Sequence, residues 1–114
     1  MSKYNNRKVE KDGFKFDSIK EYEYYLELKQ KLHDKKIINF KVHPKIILQP
    51  EFISNSKKIK PITYTPDYVV YHDGKTEIID IKGGKATQTR EWKNKWKMLQ
   101  YQYRNEKNYL FTIV

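Results

Sequence analysis

The sequence has no cysteine, only four glycines and four prolines, and no apolar run near the roughly 20 residues that a membrane span needs. Without thiols there are no disulfides and no thiolate metal sites. Without a long hydrophobic run or a signal-peptide core at the N-terminus, the expectation is a soluble cytoplasmic protein with no membrane partner. Acidic residues are in the minority, 14 Asp and Glu against 24 Lys and Arg, which leaves a formal charge of +10 on 114 residues. A surplus of that size in so small a chain calls for a polyanionic partner, and nucleic acid is the commonest. Aromatic residues, by contrast, make up 15% of the chain. That supplies enough apolar surface for one domain over residues 1–114 with a single modest core. Residues 1–13 read as a basic arm leading into a small hairpin, in which Asp12-Gly13 turns the chain and Phe14 and Phe16 share a face.

The most informative stretch is Tyr64 to Gly84, YTPDYVVYHDGKTEIIDIKGG. Two strand-like runs, Tyr64 to Tyr71 and Thr76 to Lys82, flank Asp73-Gly74, a dipeptide suited to a two-residue hairpin turn. That turn sets a register: His72 faces Lys75, Tyr71 faces Thr76, and counting back brings Asp67 opposite Asp80. Like charges so placed are destabilising, so the arrangement needs a reason to exist. Side chains alternate along a strand, which puts Lys82 on the face of Asp80 and sends Ile79 and Ile81 to the other. Two carboxylates and an ammonium on one face suit a divalent cation beside a phosphate. The bland alternative is a strand bend at Pro66-Asp67 and an ordinary charged edge at Asp80 and Lys82.

Pro66-Asp67 followed by Asp80-Ile81-Lys82 resembles the PD-(D/E)XK signature of the restriction-endonuclease-like nuclease superfamily. The second acidic position is Asp, a variation the motif allows, and no separate specificity domain is visible. The resemblance implies an α/β fold with an αβββαβ core, a mixed sheet flanked by two helices, here preceded by the short N-terminal hairpin.

Elements along the chain follow that order. Ser18 to about His33 is the first helix, with Ser18 and Glu21 spaced as a capping box. Tyr22, Tyr25, Leu26, Leu28 and Leu32 fall on one arc that also contains Glu21, while Glu23 and Glu27 fall outside it. A carboxylate on a core-facing stripe is costly without a partner. In the superfamily an acidic residue on this helix often completes the metal site, and Phe16-Asp17-Ser18-x-x-Glu21 resembles small phage-borne members. Strands are expected at Ile37 to Phe40 and Lys45 to Phe52, separated by His43-Pro44, with His43 a turn or surface residue rather than a ligand. Gln49 and Glu51 either support the site or are solvated. Ile53 to Lys60 reads as a polar loop whose Lys57, Lys58 and Lys60 either touch phosphates or are solvated. Gly83, Gly84 and Lys85 follow the motif, where glycine permits close approach to a phosphate, although the P-loop spacing is absent. A second helix from near Thr87 or Thr89 to near Asn105 buries Trp92, Trp96, Leu99 and Tyr103. Lys93, Lys97, Gln100 and Arg104 form the neighbouring stripe, either a solvated helix flank or a DNA-facing surface, with Lys93 and Lys97 the residues expected to meet DNA. Tyr109 to Val114 is a last strand parallel to Thr76 to Lys82.

The resemblance then implies a Mg²⁺-dependent DNA endonuclease, Mn²⁺ being a substitute, that leaves a 5′-phosphate. Asp67, Asp80, Glu21 and the Ile81 carbonyl would hold one or two ions that acidify water, and Lys82 would orient that water or stabilise the transition state. No organic cofactor is called for. A lone domain has little surface for base-edge readout, which favours recognition of DNA shape. The resemblance to small phage-borne members and Holliday-junction resolvases then implies structure-selective cleavage of junction or branched DNA in phage or mobile-element processing, in a bacterial or phage-infected cell, with a homodimer as the expected acting form. The rivals are a non-catalytic nucleic-acid-binding module with a degenerate nuclease fold and a nucleoprotein-assembly protein.

Overall fold

A computed structural model describes residues 8–82 and 88–114. The small first hairpin forms as expected: β1 (Val9–Lys11) pairs antiparallel with β2 (Phe14–Phe16), and both Asp12 and Gly13 take positive φ, at 54° and 83°. Helix α1 (Ile19–His33) starts at Ser18, whose hydroxyl accepts the Glu21 N–H at 3.1 Å. Beyond it come β3 (Asn39–Val42), β4 (Ile46–Gln49), β5 (Phe52–Ser54), β6 (Lys57–Ile59), β7 (Ile62–Tyr64), β8 (Tyr68–His72), β9 (Lys75–Asp80), α2 (Arg90–Gln102) and β10 (Tyr109–Ile113).

The fold is mixed α/β. Its main sheet has the order β10-β9-β8-β3, antiparallel except for β9 and β10, which run parallel on either side of α2. A crossover helix is what joins parallel neighbours in this way. Alternation along β8 and β9 sorts their side chains to two faces. Tyr68, Val70 and Ile79 pack with Phe16, Tyr25, Leu28 and Ile37 on the α1 side; Val69 and Ile78 pack with Tyr64, Trp96 and Leu99 on the α2 side. These strands are buried on both faces, and their apolar runs are accordingly continuous.

Several expectations are corrected. The run Tyr64 to Tyr71 is broken at Thr65 to Asp67, because proline cannot donate to a strand ladder; β7 leaves the main sheet to pair with β4, and Pro66 is fully buried between the two strands. The polar loop Ile53 to Lys60 contains a hairpin, β5 with β6, turned by Asn55 and Ser56 at φ 50° and 63°. All its residues are exposed, and a strand without a buried face leaves no hydrophobic period to read. On α1, Leu26 and Leu32 are 42% and 37% exposed, so the buried arc is narrower than the helical wheel predicts and is filled by Glu21, Tyr25 and Leu28. At the Asp73-Gly74 turn only Gly74 has positive φ, 76°, a conformation glycine adopts at no steric cost. The basic arm at residues 1–7 lies outside the described residues.

Truncating the fully buried Leu99 to alanine should therefore cost about 2 to 5 kcal/mol in urea unfolding, the usual toll of a core cavity. Leu26→Ala, on a surface-exposed position of α1, should cost well under half of that.

Candidate functional site

The β8–β9 ladder pairs His72 with Lys75, Tyr71 with Thr76 and Tyr68 with Ile79. One step further along the same register, Asp67 meets Asp80, and the two carboxyls are hydrogen-bonded to each other. Asp67 stands at the entrance to β8, where its Oδ2 also accepts the Ile81 N–H at 2.6 Å. Asp80 ends β9 and is 4% exposed. Its Oδ2 accepts the Trp92 indole N–H at 2.6 Å and the hydroxyl of Tyr64, while its Oδ1 lies 3.8 Å from Lys82 Nζ. The Lys82 ammonium sits over the Trp92 ring, 4.6 Å from its centroid. Its backbone N–H donates to the Val114 carbonyl at 3.0 Å, so the end of β10 steadies the residue from below.

Glu21 reaches this place from α1. It is 4% exposed, and its carbonyl accepts the Tyr68 hydroxyl at 2.7 Å, which ties the first turn of the helix to β8. The serine half of the capping box is made, but the Glu21 carboxylate turns away to His43, with Oε1 2.6 Å from Nε2. His43 is thus no plain turn residue. It occupies a left-handed backbone conformation, φ 52°, and its N–H donates to the Asp67 carbonyl at 3.0 Å. One ligand-type atom each from Glu21, His43 and Asp67 lies within 4.8 Å of the others. The donor set is two carboxylates and an imidazole, with Asp80 hydrogen-bonded to Asp67, a chemistry that fits a divalent cation.

The electrostatics fit the same picture. Burial, the hydrogen bond to Asp80 and the charge of Asp80 raise the Asp67 carboxyl well above the usual range, against the pull of the Ile81 N–H. The pair retains a proton because two like charges in contact cannot both ionise cheaply. His43 is pushed upward, chiefly by its hydrogen bond to Glu21. Tyr64 is raised by burial and by its bond to Asp80, so it remains a neutral donor.

Glu21 and Asp67 therefore come together with His43. Asp80 stands against Asp67 but outside that group of three, with Lys82 at its Oδ1, and Ile81 meets Asp67 through its N–H, its carbonyl being the group expected to hold an ion. Sequence reasoning missed three neighbours: Tyr64, His43 and Trp92. Trp92 does lie on the inner stripe of α2, as its spacing predicts, but helical periodicity carries no information on where an indole N–H points. The expected phosphate-contacting residues that the structure describes are all on the surface. Lys57, Lys58 and Lys60 are exposed on or beside β6, with Lys58 3.7 Å from Glu51, and Lys93 and Lys97 are exposed on α2. Gly83, Gly84 and Lys85 lie outside the described residues. Among the described residues, no helix is long and apolar enough to cross a membrane.

Residues 1–112 match the model of a family described as Protein of unknown function (DUF1064). No curated protein and no solved structure matches the chain.

The raised Asp67 carboxyl fixes the sign of a pH effect. The folded state holds a proton that the unfolded chain, at an ordinary value of 3.8, releases. The contribution of this carboxyl to the stability of the metal-free protein should be complete below that value and should be lost progressively as pH rises from about 4 towards the raised folded value. Asp67→Asn mimics the protonated partner: its amide donates to Asp80 and its carbonyl accepts from Ile81. Thermal unfolding of this variant between pH 5 and 8 should show a flatter profile than wild type and an equal or higher midpoint at pH 8.

Proposed function

We propose that this chain, which belongs to the DUF1064 family, is a metal-dependent DNA endonuclease of the PD-(D/E)XK type, selective for DNA structure more than for sequence. One observation carries the reading. Glu21 and Asp67, far apart in sequence, each place a carboxylate oxygen within 4.8 Å of the other and of a His43 ring nitrogen, and Asp80, against Asp67 from the neighbouring strand, has Lys82 Nζ 3.8 Å from its Oδ1. The element order α1, β3, β8, β9, α2, β10, with a parallel final pair, supports the αβββαβ likeness.

Asp67, Asp80 and Glu21, with the Ile81 carbonyl as a further oxygen, would hold Mg²⁺ or Mn²⁺. Such a cation supplies Lewis acidity towards a phosphodiester and acidifies water. The protein's own parts are arranged around that task. Tyr64 and Trp92 fix Asp80 through Oδ2 and leave Oδ1 free of these donors. Lys82, held over the Trp92 ring and 17% exposed, is placed to meet charge on a phosphoryl oxygen or to orient water. Lys93 and Lys97 on α2, and Lys57, Lys58 and Lys60 at the β5–β6 hairpin, offer sequence-independent contacts to a DNA backbone, in keeping with the charge of +10. Two copies acting together would suit paired cuts in a junction.

Nicking of linear, flap and four-way-junction DNA with Mg²⁺ or Mn²⁺ tests the proposal. Wild type should cut branched substrates preferentially, and Asp80→Ala should fall to background. Equal cutting by both proteins would assign the activity to a contaminant or another site, and no cutting on any substrate would favour a binding or assembly role. Trp92→Phe keeps the ring beneath Lys82 but removes the donor to Asp80, and should lower kcat by about 10-fold or more, the scale at which partners of metal ligands act. Mg²⁺ should raise the unfolding midpoint of wild type more at pH 8 than at pH 5, because the cation displaces the proton shared by Asp67 and Asp80.

A further inference from the structure

We propose that His43 is a direct ligand of the cation at this site and that its imidazole shifts the preference from Mg²⁺ towards Mn²⁺. The inference rests on the nuclease reading of the carboxylates and goes beyond it, since an all-oxygen site has no need of a histidine.

Three independent features of the structure converge on this residue. One of its ring nitrogens lies within 4.8 Å of ligand atoms of both Glu21 and Asp67, and its Nε2 lies 2.6 Å from Glu21 Oε1. Its backbone adopts φ 52° in the bend between β3 and β4, in the region that L side chains seldom occupy and that recurs where a site requires it. That bend is pinned to the site by the His43 N–H bond to the Asp67 carbonyl, 3.0 Å, and the ring rests against Phe16, with centroids 6.0 Å apart. The imidazole is thus aimed inward by the chain on both sides of it, where an ordinary bend would leave it in water.

Ligand chemistry then decides which ion benefits. Mg²⁺ takes oxygen ligands almost exclusively and holds its waters, whereas imidazole suits the first-row transition ions. A set dominated by carboxylate oxygen with one imidazole matches Mn²⁺, which accepts both donor types. Glu21 is then a shared partner, bonded to His43 in the metal-free protein and to the ion when it is loaded.

Binding of the bare ions, measured by calorimetry, and pulsed electron paramagnetic resonance of the Mn²⁺-loaded protein provide the test. Asparagine tolerates a left-handed backbone, so His43→Asn preserves the bend while removing the ring nitrogen. Wild type should display a ¹⁴N coupling to Mn²⁺ that His43→Asn lacks. The same substitution should weaken Mn²⁺ binding by about 10- to 100-fold with little change for Mg²⁺. Mn²⁺ bound without the nitrogen coupling, or with a coupling that survives His43→Asn, overturns the role of His43 and leaves the carboxylate site standing. Failure of wild type to bind either ion overturns the carboxylate site and His43 ligation together.

Discussion

The pairing of β8 with β9 is the constraint on which the rest of the molecule depends. Both strands are buried on two faces, with Tyr68, Val70 and Ile79 turned towards α1 and Val69 and Ile78 towards α2. A slip of one residue would exchange those sets and lose both cores, so the register is strongly specified. The same register carries Asp67 to Asp80. An unfavourable contact between two carboxyls is thereby held in place by hydrophobic packing further along the ladder, and it cannot relax by sliding.

How the structure tolerates that contact is visible in its hydrogen bonds. Each acidic group is met by a partner from a different element: Asp67 by the Ile81 N–H, Asp80 by Tyr64, Trp92 and Lys82, Glu21 by His43. Buried polar groups demand such satisfaction, and among the described residues none is left without it. The site is consequently assembled from α1, the β3–β4 bend, β7, β8, β9 and α2. Movement of any one of these elements would take a hydrogen-bond partner from a buried acidic group in a region of low dielectric.

Charge over the rest of the surface bears on the proposed substrate. Exposed lysines on α2 and at the β5–β6 hairpin would offer such a substrate contacts indifferent to base sequence, and their effect would be felt as salt-dependent affinity. The hairpin pairs only with itself, and its Phe52 and Ile53 are 45% and 76% exposed, so it contributes surface rather than core.

Local patterns by themselves determined the two helices, the Ser18 cap of the first, the strands β8 and β9, the turn at Asp73-Gly74 and, through that turn, the opposition of Asp67 and Asp80. Each follows from interactions among residues close in the chain, which alternation, helical period and turn chemistry encode directly. Glu21 was legible for a related reason, as a carboxylate on a stripe where only a partnered one is tolerable. The tertiary structure alone decided the β4–β7 pairing, the departure of β7 from the main sheet and the exposed hairpin, because strand partners are chosen over long sequence separations and exposed strands leave no apolar signature. It alone brought His43 and Trp92 to the acidic cluster. The direction of an imidazole at a left-handed bend, or of an indole N–H on an inner helix face, is set by what packs around it and not by its position in the chain.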